Sequence, residues 1–198
     1  ILPYCNRCTT PLSNFETNQG YKDTQDPAIT VAFQLKDESD TFILAWTTTP
    51  WTLPSNTGLA VGKDLTYVKV KDNDRYYILA DALLSKYYKD PQAVDIVEKF
   101  DGTKLVGKKY IPLLPYFAKL EEEGAFRVVL GHHVTTETGT GVVHIAPGFG
   151  EDDAEIGKKE GLPAICPIDA EGKFNEEVWD FKEINVKKAD KDIIKKLK

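Results

Sequence analysis

The stretch ITVAFQLKDESDTFILAWTTTPWTLPSN, residues 29–56, decides how this chain is read. In its first part Val31, Phe33 and Leu35 alternate with Ala32, Gln34 and Lys36. That period of two describes a strand with one buried face. After a polar turn, TFILAW (41–46) is a short apolar run of the kind a buried strand carries. Then the pattern changes. Trp46 and Trp51 bracket three consecutive threonines, and Pro50 and Pro54 are expected to hold the second half of the stretch out of any helix. An extended Thr47-Thr48-Thr49 sends Thr47 and Thr49 to one face and Thr48 to the other. Pro50 pushes Thr49 toward the extended region. Two hydroxyls on one face can donate to and accept from a polar ligand. The plainer alternative is a β-rich segment whose threonines bond only to backbone. A threonine nucleophile is not expected, because none is N-terminal and no base is adjacent in sequence.

Working outward, strands are expected at GLAV (58–61), YVKVK (67–71), YYILA (76–80), VDIVEKF (94–100), KLVGKKY (104–110), FRVVL (126–130) and GVVHIA (141–146). Asp81 reads as the N-cap of a short helix over 82–88. A second helix is expected from about Glu151 to Glu160, stopped by Gly161. A third, about 187–197, carries the stripe Ala189, Ile193, Leu197 and a lysine-rich end that suits the helix dipole. Residues 1–27 are loop-like. Strands closely spaced and outnumbering helices predict a mixed, β-rich fold: a mostly antiparallel β-barrel with a few peripheral α-helices. A parallel βαβ sheet is the alternative. The organisation expected is one domain over 1–198, with a lead-in at 1–27, a core with the pocket at 28–165, and a C-terminal extension and helix at 166–198.

The composition is that of a globular domain: 41% of the 198 residues are hydrophobic, enough for a core without staples. No apolar run approaches the roughly 18 residues of a membrane span, and no signal peptide is evident. With no methionine, even at position 1, the chain reads as a piece cut from something longer. Cys5, Cys8 and Cys166 read as a reduced, cytosolic thiol set. Cys5-x-x-Cys8 is half of a zinc pattern, and its other half is absent from the sequence. The net charge of −6 argues against a broad nucleic-acid-coating face, though not against contact with a short single-stranded end.

A second stretch, GTGVVHIAPGFGEDDAEIG (139–157), gathers the remaining chemistry. Its glycines allow close backbone approach. His144 lies on a strand, and Glu151, Asp152 and Asp153 open a helix after a Pro-Gly turn. Acidic residues there are often dipole partners, but three together leave one to meet a cation such as an ammonium. Neither nucleotide-loop pattern is present. His132 and His133 read as solvated loop positions. From chemistry alone the chain is a strand-rich domain with a cleft lined by hydroxyls and carboxylates.

Together the two stretches resemble the editing domain of class I aminoacyl-tRNA synthetases, in the isoleucyl branch. That family carries a peptide of the form WTTTPWTLPSN, here 46–56, and a GTGxVHxAP…GxDD segment, here 139–153. YCNRCTTPLSNFE (4–16) and CPIDAEGKF (166–174) are similar to the family's flanking segments. Leucyl enzymes differ in carrying TxRxxT and VPGHDxRD-like segments, and valyl enzymes in carrying TTRPET. Phe149 stands where many bacterial members have histidine, which suggests a eukaryotic or archaeal type.

The resemblance implies hydrolysis of valine wrongly attached to the tRNA for isoleucine. It implies that Thr47, Thr48 and Thr49 form the wall and polar lining of a pocket stiffened by Trp46, Trp51 and the prolines. It places Asn56 near the pocket, His144 at its edge, and Asp153 as partner of the substrate's α-ammonium. Water, not a protein nucleophile, attacks. No cofactor is implied for this step; ATP and Mg belong to the synthetic domain, and zinc to the whole enzyme at most. The implied partners are the 3′ end of tRNA(Ile) carrying valine and the remainder of the synthetase, with no membrane, in the cytoplasm. Three alternatives stay open: a non-catalytic aminoacyl-adenosine or RNA-binding module, the editing domain of a sister synthetase, and a structural zinc-ribbon fragment.

Overall fold

The computed structural model describes residues 3–198, so Ile1 and Leu2 of the expected lead-in lie outside the described residues. The lead-in carries more structure than its loop-like composition suggests. β1 (Tyr4–Cys5) and β2 (Thr10–Pro11) form a short antiparallel ladder, and α1 (Asn14–Asn18) follows. A capping box starts that helix: Ser13 Oγ accepts from the Glu16 amide, and the Glu16 carboxylate accepts from the Ser13 amide.

Eight further strands follow: β3 (Ile29–Gln34), β4 (Thr41–Thr47), β5 (Gly58–Val61), β6 (Thr66–Asp72), β7 (Arg75–Ala80), β8 (Asp95–Asp101), β9 (Arg127–Leu130) and β10 (Val142–Ile145). They divide into a five-stranded sheet ordered β3-β4-β7-β6-β8 and a three-stranded sheet ordered β10-β5-β9. Pairing is antiparallel except at β4–β7 and β5–β9, which are parallel. The strand-rich, mostly antiparallel character therefore holds, but the sheets stay open, and the expected closed barrel is corrected to two sheets sharing a core. β5 explains part of this. All four of its residues are buried, and both its edges are already occupied by β9 and β10, so it has no edge left for the larger sheet.

β4 looks like an unbroken apolar run yet alternates in space. Thr41, Ile43, Ala45 and Thr47 are buried, while Phe42, Leu44 and Trp46 are half-buried. The main core lies on that buried side, where Phe33, Tyr110 and Phe126 meet edge to face. Tyr67, fully buried, accepts the Gly62 amide at 2.9 Å and donates to the Gly141 carbonyl at 2.6 Å. Burial pushes its hydroxyl pKa up to about 12, so it stays a donor. That bond ties β6 to the loop before β10.

Two local expectations fail for visible reasons. KLVGKKY does not form a strand. Gly102–Leu105 is a 3-10 turn, Gly107 takes φ +82°, and only Lys109 and Tyr110 make isolated bridges. Gly102 packs so closely on Gly62 that an added Cβ would meet the Gly62 carbonyl at 2.1 Å. The other failure is Pro50–Ser55: Pro50 and Pro54 were expected to hold it out of any helix, yet it forms a short 3-10 helix with Pro54 inside it. Pro50 leads it, where a missing N–H costs nothing.

The helices run close to expectation. Residues 82–88 resolve into a 3-10 turn at Asp81–Leu83 and α2 (Leu84–Tyr87), with Asp81 inside the turn instead of capping it. α3 (Glu151–Glu160) ends at Gly161, φ +69°. α4 (Val186–Lys196) is capped by Asn185 and buries Val186, Ala189 and Ile193, while Leu197 is half-buried. A small separate cluster of Phe174, Val178, Phe181 and the α4 stripe receives the Trp51 ring. Within it Asp190, 3% exposed, accepts the Trp51 amide at 2.9 Å. α4 thereby pins the turn that follows the threonines. Among the described residues no helix is long and apolar enough to cross a membrane.

Candidate active site

Where β4 gives way to the Pro50 turn, a cleft of about 450 Å³ opens between that turn, the 133–143 segment and the start of α3. That volume falls in the range of small-molecule sites. Trp46, Thr47, Thr48, Thr49, His144 and Asp153 all line it. Thr47 is nearly buried by the strand's alternation, and Thr48 is exposed.

The hydroxyls form a chain. Thr47 and Thr49 Oγ1 lie 3.1 Å apart, and Thr47 Oγ1 also accepts the Thr49 amide at 3.0 Å. Thr49 Oγ1 lies 3.3 Å from Thr52 Oγ1, which lies 2.9 Å from His144 Nε2. Thr52 donates its one hydroxyl proton to the Thr49 carbonyl at 2.9 Å. His144 Nε2 must then be the donor to Thr52, which leaves Nδ1 as a lone pair, buried and without a partner. Burial lowers the His144 pKa to about 4, so the ring is neutral near pH 7.

The opposite wall is set by glycines. Gly139 and Gly141 both have positive φ, at 73° and 74°. A Cβ on Gly141 would lie 2.4 Å from that of Ala80, and one on Gly139 would press on Trp46. The loop can therefore lie directly on β4 and β7 only as glycine. The Trp51 and Phe149 rings meet edge to face at 5.1 Å and stiffen one side.

Asp153 sits in the first turn of α3. One carboxylate oxygen, Oδ2, accepts the Ala146 amide at 2.9 Å, fixing the group's orientation. Burial raises its pKa; the Ala146 hydrogen bond and the nearby His133 act the other way. The result is an oriented carboxylate, short of solvation, that gains from meeting a cation.

Two placements differ from expectation. Asn56 is not on the cleft: its amide nitrogen donates to the Gly58 carbonyl at 2.8 Å, and its oxygen accepts from Tyr110 at 2.7 Å, inside the core. Its role is to hold the backbone after the turn. His133 is not a solvated loop residue. It lines the cleft, and both ring nitrogens are buried without a partner. Thr52 closes the hydroxyl chain, yet nothing in its local pattern marked it. No sequence signal pointed to His133 either. Cys5 and Cys8 face one another across a turn, with the Cys8 amide 3.4 Å from Cys5 Sγ. Among the described residues no group of three or more metal-ligating side chains is assembled.

No family model matches the chain. Individual proteins do. The isoleucine–tRNA ligase of Bdellovibrio bacteriovorus is 53% identical over 201 residues, spanning all of this chain and 19% of that protein. The cytoplasmic isoleucine–tRNA ligase of Mus musculus is 50% identical over 206 residues, again all of this chain and 16% of the relative. The chain thus spans about a fifth of the length of the curated relatives it matches. Among solved structures, the GlLeuRS-CP1 crystal structure has a TM-score of 0.65 at 14% identity, covering 85% of this chain and 94% of that one. The editing domain of the P. knowlesi cytosolic leucyl-tRNA synthetase has a TM-score of 0.56 at 13% identity, covering 90% and 86%. At such identities these likenesses speak to fold.

Proposed function

Because the chain belongs, over its whole length, to the isoleucine–tRNA ligase family and has the fold of a synthetase editing domain, we propose that its cleft hydrolyses the ester of valine wrongly joined to the tRNA for isoleucine. One observation carries this reading: the threonine run and Asp153, remote in sequence, line the same cleft. An aminoacyl ester offers a cationic amine, a small side chain, a carbonyl and a ribose, and the cleft has a counterpart for each. Asp153 receives the α-ammonium through the oxygen that Ala146 leaves available. The side chain lies against the Thr47–Thr49 wall. The hydroxyls and the lone pair of His144 Nδ1 face the ester and ribose.

The side chains here include no activated nucleophile, so water attacks the carbonyl carbon and the ribose oxygen leaves. The chain contributes orientation and fixed dipoles, which together can lower such a barrier substantially. Selection rests on space. One methylene more or less in an apolar pocket is worth only about 1–3 kcal/mol, so a synthetic site that barely separates two such amino acids needs a second, smaller one. The bonded hydroxyl chain and the Trp51–Phe149 pair keep this wall from yielding.

In the parent enzyme, ATP and Mg serve aminoacylation elsewhere, the tRNA 3′ end delivers the substrate, and the reaction belongs in the cytoplasm. Cys5 and Cys8 would contribute two of the four ligands a structural zinc takes. The test compares deacylation of Val-tRNA(Ile) and Ile-tRNA(Ile) by the parent enzyme and its Asp153→Ala variant. Selective loss of valine from the wild type, abolished in a folded variant, supports the reading. Undiminished valine release by the variant would overturn it.

A further inference from the structure

His133 has no task in the account above, yet its position is unusual. The ring lines the cleft, and both nitrogens are buried with no hydrogen-bond partner. Leaving a buried polar atom unpaired costs about 1–3 kcal/mol. The ring lines the same cleft as Asp153. Asp153 in turn has one oxygen committed to the Ala146 amide, and its other takes no hydrogen bond from a described residue.

An α-ammonium has three N–H donors. The available oxygen of Asp153 satisfies one, or two if bifurcated. At least one N–H remains, and in a cleft closed by a bound ester it needs an acceptor. A neutral imidazole has one lone pair to give. The other groups of this cleft are less suited. The hydroxyls of Thr47, Thr49 and Thr52 are already joined to one another, and of the two His144 nitrogens Nε2 is held by Thr52 while the Nδ1 lone pair is the one assigned above to the ester and ribose.

We propose that His133 is the second acceptor for the substrate's α-ammonium, so that the amine is held between the Asp153 carboxylate and an imidazole nitrogen. This deepens the editing reading and rests on it. It adds a geometric condition to a charge condition. A carboxylate alone attracts a cation from many directions, whereas two acceptors fix the amine and therefore the direction in which the acyl side chain meets the threonine wall.

The test uses the full-length parent enzyme, with His133→Phe to keep ring size and His133→Asn and His133→Gln to restore an acceptor. Two substrates are compared: Val-tRNA(Ile) and its nitrous-acid product, in which a hydroxyl replaces the amine. For His133→Phe, KM for the amine substrate is expected to rise roughly ten-fold or more, as for loss of one hydrogen bond to a charged group. KM for the hydroxyl substrate is expected to stay within about two-fold of wild type, and at least one amide variant to recover most of the loss. Equal changes on both substrates, or no change on either, would overturn the proposal. Asp153→Ala, run alongside, separates the two layers. If it abolishes deacylation while His133→Phe is silent, only this inference fails. If it leaves deacylation intact, the editing reading fails and the inference falls with it.

Discussion

The Pro50–Ser55 turn has a polar cluster at each end, and the two clusters are built differently. After the turn, the Asn56 amide is closed: its oxygen is met by Tyr110 and its nitrogen by the Gly58 carbonyl, with 5% of the residue exposed. Before the turn, Thr47, Thr49 and Thr52 bond to one another and to His144, and the chain stops at a buried Nδ1 with nothing beyond it. Across the cleft His133 repeats the condition twice over. The hydroxyls of Ser55 and Thr57 are also buried without partners, and nothing in the structure gives them a task. Asn56 and His144 nevertheless make the contrast plain. A polar side chain whose every group is met within the fold is structural, whereas one left open at a cleft is available to a ligand.

Asp153 tests the open side most severely. Asp153→Asn should lower deacylation of Val-tRNA(Ile) by roughly a hundred-fold or more, since it removes a charge-assisted contact in a partly dry site. Its thermal midpoint should not fall. The folded pKa is raised by burial, so the ionised form weakens the fold once pH exceeds the ordinary carboxylate value, and a neutral amide removes that penalty. A variant that is inactive and clearly less stable would assign Asp153 to the structural side of the comparison.

The next effect belongs to His144. Its folded pKa of about 4 lies below the ordinary 6.5. The unfolded chain takes up a proton first as pH falls, so stability is full above pH 6.5 and is lost between there and about pH 4. The loss is on the order of 3 kcal/mol, and His144→Gln should flatten that part of the stability–pH curve in chemical denaturation. Tyr110→Phe probes the closed side. It orphans the Asn56 oxygen and should cost about 2 kcal/mol of stability while deacylation stays within two-fold of wild type. Glu38 is the smallest case. Lys108 and Lys69 hold its pKa down to about 2, but a third of the side chain is exposed. Discounted for screening, Glu38→Gln should cost about 1 kcal/mol near neutral pH, and wild type should lose that increment as pH falls from about 4.5 to 2.

What could be read from sequence was what short-range physics controls. Alternation at Val31, Phe33 and Leu35 marked β3 and Gly161 stopped α3, whereas the expected extension of the threonine run holds only to Thr47: Thr48 is a bend, and Thr49, at φ −123° and ψ 69°, has left strand geometry. Sheet closure was not legible. It depends on which strand edges find one another, and the parallel β4–β7 and β5–β9 pairings leave no trace in either strand's own residues. KLVGKKY was expected as a strand, while Gly102 just before it and Gly107 within it were already committed to a close approach and a left-handed turn. Of the site, Thr47–Thr49, His144 and a carboxylate among Glu151–Asp153 stood out in two dense stretches, and the family resemblance then selected Asp153. Asn56 lies inside the first stretch, and the family resemblance implied a place near the pocket, whereas its side-chain hydrogen bonds lie in the core. His133 was misread as solvated for the opposite reason: a histidine pair in a loop has no pattern, and only the fold carries it into the cleft that Asp153 lines.

The most direct test of the whole account is a structure of the chain with a non-hydrolysable valyl-adenosine analogue bound. The expected result is the amine within salt-bridge distance of Asp153 and the isopropyl group against Thr47–Thr49. An amine directed away from Asp153, or an analogue bound outside this cleft, would contradict it.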